Sequence, residues 1–178
     1  FLNQIVPDYS KPNEIRYSNL DQYSVSRGAS FSMSHNFPGP LLYSVGVTLQ
    51  DVFRKNGGQN QRLEYAPEFK TVVSGKYTIK KFDLTVDYTG HITGPMKLPE
   101  YENKPSYSEW FSRQNIKFTK TLSSRIQAYM SVKNLFNYTQ DNPIIAPDRP
   151  FSEDFATDRV YGPVETRKYM AGITYSLR

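Results

Sequence analysis

Side chains able to do covalent or metal chemistry are sparse in this sequence and poorly spaced for it. There are two histidines, His35 and His91, and no cysteine, which excludes thiolate chemistry and disulfides. Neither histidine belongs to a metal-ligand spacing such as a histidine pair with a nearby carboxylate. His91 and Met96 near a loop invite a haem or copper site, but a loop or interfacial position without ligand duty is the preferred reading. Asp83 and Asp87 would share one face of a strand, as a paired-carboxylate site requires; polar-face charges beside Lys76 and Lys80 are the better account. Gly57-Gly58 is a loop turn with no helix after it to cradle a phosphate. No catalytic residue, metal ligand or cofactor is expected.

The remaining candidates are recognition residues. Arg54, Arg62, Tyr65, Tyr101, Tyr107, Trp110, Arg149 and Arg159 fall in or beside long connections, and aromatics and Arg are enriched where ligands and partners are held. These eight are the expected ligand contacts; packing of the loops against one another is the competing role for each. A net charge of +5 could point to nucleic acid, but the Lys and Arg are scattered rather than gathered in a stripe, so no nucleic-acid partner is expected.

Composition limits what can position such residues. Only 38% of the 178 residues are hydrophobic while 15% are aromatic, with 14 Tyr and 11 Phe. That leaves little aliphatic material for an ordinary interior, yet too many aromatics for a disordered chain. Mean hydropathy is −0.62, and no apolar run reaches the roughly 18 residues of a spanning helix. Alternating strands of a membrane barrel would average to such a value, because lipid-facing and lumen-facing residues cancel in any window.

Alternation is the dominant pattern. In residues 28–37, Ala29, Phe31, Met33 and Phe37 alternate with Ser30, Ser32, Ser34 and Asn36, and His35 falls on the apolar side. Residues 43–53, 82–89, 126–133 and 169–177 repeat the pattern, and 69–79 and 110–120 show it more weakly. Side chains of a strand point to opposite faces with period two, so each segment has one apolar and one polar face. About seven strands and no helix are therefore expected. The tight connections around residues 37–40, 79–81 and 121–125 alternate with long ones at 54–68, 92–109 and 137–166. Long structureless loops are uncommon in compact domains, whereas outer-membrane barrels combine short periplasmic turns with long extracellular loops. On that reading the last strand runs down into the periplasm, residues 1–6 form the top of an earlier strand, and 7–22 form its loop. Aromatics near strand ends, among them Phe37, Tyr43, Tyr77, Phe82, Phe118, Phe136 and Tyr138, resemble interfacial girdles. A soluble β-rich binding module remains open on alternation alone.

The end of the chain resembles a known family. Residues 130–140, MSVKNLFNYTQ, are similar to the V-x-N-L-F-N/D segment of TonB-dependent outer-membrane receptors. In this segment Val132 continues the apolar face, Asn134 can bond backbone where the strand leaves its ladder, and Phe136 anchors the interface. Arg167, Tyr169, Gly172, Ile173, Tyr175 and Leu177 match that family's closing segment. Thr166 stands where the family usually has Gly, and the chain ends Leu177-Arg178 where an aromatic is usual. The intervening loop resembles receptors of Bacteroidetes-like bacteria, in which the acceptor pattern Asn137-Tyr138-Thr139 carries little weight. The resemblance implies an all-β, antiparallel up-and-down transmembrane barrel of roughly 22 strands with a plugged lumen. Residues 1–178 would be its C-terminal part, with the plug and the segment that meets TonB lying upstream. It further implies location in the outer membrane, lipid around the barrel, and energised uptake of a scarce nutrient (siderophore, haem, cobalamin or oligosaccharide). A passive small barrel or porin is the alternative within the membrane.

Overall fold

The computed structural model describes residues 2, 5–11, 14–19, 23–36, 38–56 and 58–177. Among them are ten strands: β1 (Ile5–Lys11), β2 (Glu14–Asn19), β3 (Ser24–His35), β4 (Leu41–Asn56), β5 (Gln59–Arg62), β6 (Phe69–Ile79), β7 (Leu84–Thr93), β8 (Phe111–Thr121), β9 (Ile126–Lys133) and β10 (Lys168–Tyr175). The large sheet has the order β10-β9-β8-β7-β6-β4-β3, with β5 folded back on β4. Every pairing in it is antiparallel and every long strand lies beside its sequence neighbours. This is an up-and-down meander, open between β10 and β3.

The register carries the alternation across the whole sheet. Phe31 faces Val47, which faces Thr71, then Ile92; Val86, Phe118, Met130 and Ala171 form another continuous row. Odd residues of β3, β4 and β6 thus share the apolar face with even residues of β7, β8 and β9 and odd residues of β10. The opposite face carries Ser30, Thr48, Ser44, Ser74, Thr89 and Asn115, joined by the hydrogen bonds Ser30–Thr48 (3.1 Å), Ser44–Ser74 (2.7 Å) and Asn115 Nδ2 to Thr89 (3.2 Å).

Neither face of the large sheet is covered among the described residues. Among the described residues the buried hydrophobics are Met96 and Leu98, and both lie in the connection between β7 and β8. Phe31 is 66% exposed and Ile173 74%, on a face where a sandwich would bury them. An apolar sheet face of this extent is costly in water, at about 25 cal/mol per Å². It is stable only against lipid or another apolar surface.

Three expectations need correction. Residues 7–11 and 14–19 are not a loop without secondary structure, because they belong to β1 and β2, which pair. Among the described residues before β1, Leu2 is bridged to Tyr23, just ahead of β3. The long connection at 54–68 is shortened by β4 running on to Asn56 and by β5. Finally, β7 does not begin at Phe82. Lys80–Phe82 form a 3₁₀ turn closed by Asp83 in the left-handed conformation at φ 46°, so Asp83 sits in a turn and shares no strand face with Asp87. Phe37, Gly57 and Arg178 lie outside the described residues.

Candidate functional site

The loops between β7 and β8 and between β9 and β10 pack together, and side-chain chemistry at their base explains how. Asn134 ends β9 in the left-handed region at φ 52°, a conformation Asn tolerates better than most residues. Its side chain is 5% exposed. Its amide nitrogen donates to the Tyr138 carbonyl (2.7 Å) and the Glu165 carbonyl (3.0 Å), and its oxygen accepts from the Tyr138 amide (3.1 Å). One residue therefore clamps both ends of the long final loop, as its place in the NLF segment suggested. Gln140 does similar work further out, accepting from the Tyr161 and Gly162 amides at 2.8 and 2.9 Å and donating to the Arg159 carbonyl at 2.8 Å. Nothing in a loop glutamine's sequence context distinguishes it, and the sequence reading missed it.

Seven of the eight expected ligand contacts fall into three groups. Arg54 donates to Gln61 at 3.3 Å, Arg62 pairs with Glu68, and the Tyr65 amide bonds the Lys97 carbonyl. These three brace the corner formed by β4, β5 and the following loop. Trp110 rests against Phe69 at 5.2 Å, and Arg149 pairs with Asp154 at 3.5 Å; both stand apart from the recesses described next. Tyr101 bonds Asp158 at 2.7 Å and Arg159 Nη2 donates to the Pro105 carbonyl at 2.8 Å, so both tie the two loops together.

Tyr107 and Arg159 meet at a loop cavity of about 200 Å³, together with Lys104, Glu109, Tyr138 and Tyr161. Arg159 is only 6% exposed, and its Nη1 has no hydrogen-bond partner among the described residues. Burial, followed by the neighbouring Tyr161, Glu109 and Asp141, pushes the Tyr138 phenol up to about 12. It therefore stays a neutral donor across ordinary pH.

A second recess of about 470 Å³ opens on the polar face at the loop end of β8, β9 and β10. Its cations are Arg113, Lys133 and Lys168, and Lys133 and Lys168 are direct cross-strand partners. Like charges placed opposite each other destabilise a sheet. Here the Glu165 carboxylate bonds Lys168 at 2.7 Å. That hydrogen bond and the charges of Lys168, Lys133 and Arg113 hold Glu165 below its usual range. The alternation placed Lys133 on the polar face, but Lys168 fell outside the strand read at 169–177, and their opposition depends on register. Together the two recesses offer hydrogen-bond donors, aromatic rings and positive charge, suited to binding rather than to bond making. Among the described residues no three His, Asp or Glu side chains gather to hold a metal ion.

The fold recurs in solved structures. The chain superposes on the ferric-catecholate import receptor Fiu from E. coli K12 with a TM-score of 0.64 at 19% identity, covering 98% of this chain and 23% of that one. It matches the pyoverdine outer membrane receptor FpvA from Pseudomonas aeruginosa PAO1 with a TM-score of 0.67 at 16% identity, covering 99% and 26%. The copper transporter OprC gives 0.69 at 14% identity, also covering 99% and 26%. The chain shares their fold. It spans about a quarter of the length of these structures. No protein-family model and no curated protein matches it.

Proposed function

We propose that this chain is the closing part of the transmembrane β-barrel of a TonB-dependent outer-membrane receptor that takes up a scarce nutrient. The observation that carries the reading is the uncovered apolar face, continuous in register over seven strands, in a fold shared with outer-membrane receptors. A soluble module would leave that face in water. In a barrel it meets lipid, the polar face lines a wet lumen, and backbone groups at the β10 and β3 edges pair with further strands. The tight turns then face the periplasm and the long loops the outside. The resemblance at residues 130–140 and 167–177 adds the plug, the dependence on TonB and a Bacteroidetes-like source.

The ligand is a small nutrient held from the loops downward. The cavity of Tyr107 and Arg159 and the recess of Arg113, Lys133 and Lys168 are the proposed contacts. Of the other candidates, Tyr101 positions the first cavity through Asp158, while Arg54, Arg62, Tyr65, Trp110 and Arg149 stay proposals for the loop surface. The recess of Arg113, Lys133 and Lys168, with Glu165 as the one acid in its lining, favours anionic ligands such as ferric siderophores over neutral oligosaccharides. Growth of cells on a panel of iron chelates, haem, cobalamin and oligosaccharides, with the gene intact or deleted and TonB intact or removed, tests the reading. Growth on one nutrient that needs both genes supports it. Growth that needs this gene but not TonB would assign a passive barrel instead.

A further inference from the structure

The turn end of the sheet carries several cations, and on its apolar face Lys120 stands at the foot of an apolar groove. The β6–β7 turn contributes Lys80 and Lys81. Lys120, at the end of β8, donates from Nζ to the Phe82 carbonyl, and Lys81 lies over the Phe82 ring at 5.5 Å. The Thr121 amide bonds the Asp83 carbonyl at 2.9 Å, which holds the β6–β7 and β8–β9 turns side by side; the second turn adds Arg125. Among the described residues of these two turns, Asp83 is the one acid. Phe82 and Leu122 are 54% and 57% exposed, so apolar side chains flank the cations, as interfacial anchors do.

The groove lies directly above. It has a volume of about 660 Å³ and is bounded by Leu84, Phe118, Lys120, Met130, Tyr169 and Ala171. Its floor follows three rungs of the register: Lys120 with Ala128, then Phe118 with Met130 and Ala171, then Val132 with Tyr169. The small side chains Ala128 and Ala171 open it between larger neighbours. Two steps of two residues give a length of about 14 Å, close to the roughly 15 Å depth of one leaflet's hydrocarbon. A row of cations at the headgroup end of a leaflet-deep apolar groove is the geometry of a lipid, with a negative headgroup below and an acyl chain above.

We propose that this surface is a specific binding site for an anionic glycerophospholipid of the periplasmic leaflet. Lys81 and Lys120 hold its phosphate, and the groove between Ala128 and Ala171 takes one acyl chain. The inference rests on the reading of this face as lipid-facing. Charge complementarity selects the occupant. A zwitterionic phospholipid brings its own ammonium group against the lysines, and lipopolysaccharide belongs to the opposite leaflet.

Native mass spectrometry of the full-length receptor, purified in mild detergent, tests it with phosphatidylglycerol and phosphatidylethanolamine of identical acyl chains. Wild-type protein is expected to retain phosphatidylglycerol preferentially. Lys81→Gln and Lys120→Gln should each lower that preference about fivefold, the size expected for one lysine at an anionic membrane surface. Lys81→Arg with Lys120→Arg should preserve the preference, and Ala171→Phe, which fills the groove, should reduce retention of both lipids. Heat-modifiable migration on gels confirms that each variant is a folded barrel. Equal retention of the two lipids by wild type, an undiminished preference in the Gln variants, or stronger retention of lipopolysaccharide would overturn the proposal while leaving the receptor reading intact. A protein that is monodisperse without detergent and retains no lipid would overturn both.

Discussion

At the scale of single residues, the final loop depends on a few polar side chains rather than on an apolar core. Asn134 satisfies three backbone groups at the point where β9 ends. Asn134→Ala strands those groups and places a Cβ-bearing residue without local hydrogen bonds in the left-handed region, at a local cost of about 2–4 kcal/mol. Hydrogen exchange should accelerate at amides 135–140 and 160–167. Asn134→Gly, which relieves the backbone but not the lost bonds, should lie between the two. Unchanged exchange in both variants would remove the clamp. Tyr138 makes a pH prediction. A phenol raised from 10.0 to about 12 contributes stability that is complete below the unfolded value near 10 and is lost as pH climbs toward 12. Difference absorbance at the phenolate band between wild type and Tyr138→Phe should isolate one phenol titrating near 12. A midpoint near 10 would mean that the phenol is not held as described.

At the scale of the elements, strand-to-strand fit matters more than the choice of any one strand. On the polar face the ring of Tyr129 of β9 reaches over Gly172 of β10, where a Cβ would fall 2.7 Å from the ring. The same ring receives Lys117 of β8 at 4.8 Å. Three neighbouring strands are thus set in register by one aromatic seated on a glycine. Gly172→Ala should cost about 1–3 kcal/mol by forcing the ring aside, and much less in a Tyr129→Ser background. Denaturant unfolding of the vesicle-inserted receptor measures both, and equal costs in the two backgrounds would contradict the packing. The seven long strands were legible from period-two alternation, because β9 and β10 print one face apolar and the other polar. Even the weakly patterned stretch forms a regular strand over Phe111–Thr121, since β7 and β9 supply its ladder on both sides. The hairpin of β1 and β2 and the short β5 were not legible. They stand in the long connections, and residues 16–19 of β2 and three of the four residues of β5 are exposed, so burial imposes no alternation there. The turn at Asp83 was missed because Phe82, Leu84 and Val86 continue the period straight through it. At the site, Tyr107 and Arg159 were named from residue type alone. The opposed lysines 133 and 168 appear only once register is known.

At the scale of the whole molecule, the described residues make a sheet with two unpaired edges and two uncovered faces, one apolar and one polar. That is an unstable object in water and a natural segment of a closed barrel in lipid. The loops at one end carry rings, donors and positive charge around two recesses, while the turns at the other end carry the lysines of the proposed lipid site. The central claim is that the apolar face touches lipid, and nitroxide accessibility tests it most directly. Labels placed one at a time in the full-length receptor in bilayers, at Val47, Val73, Ile116 and Met130 and at their neighbours Thr48, Ser74, Lys117 and Ser131, report contact with oxygen or with a water-soluble nickel complex. The account predicts that the first four collide with oxygen and are shielded from nickel, while the second four do the reverse. Equal nickel access on the two faces would contradict it.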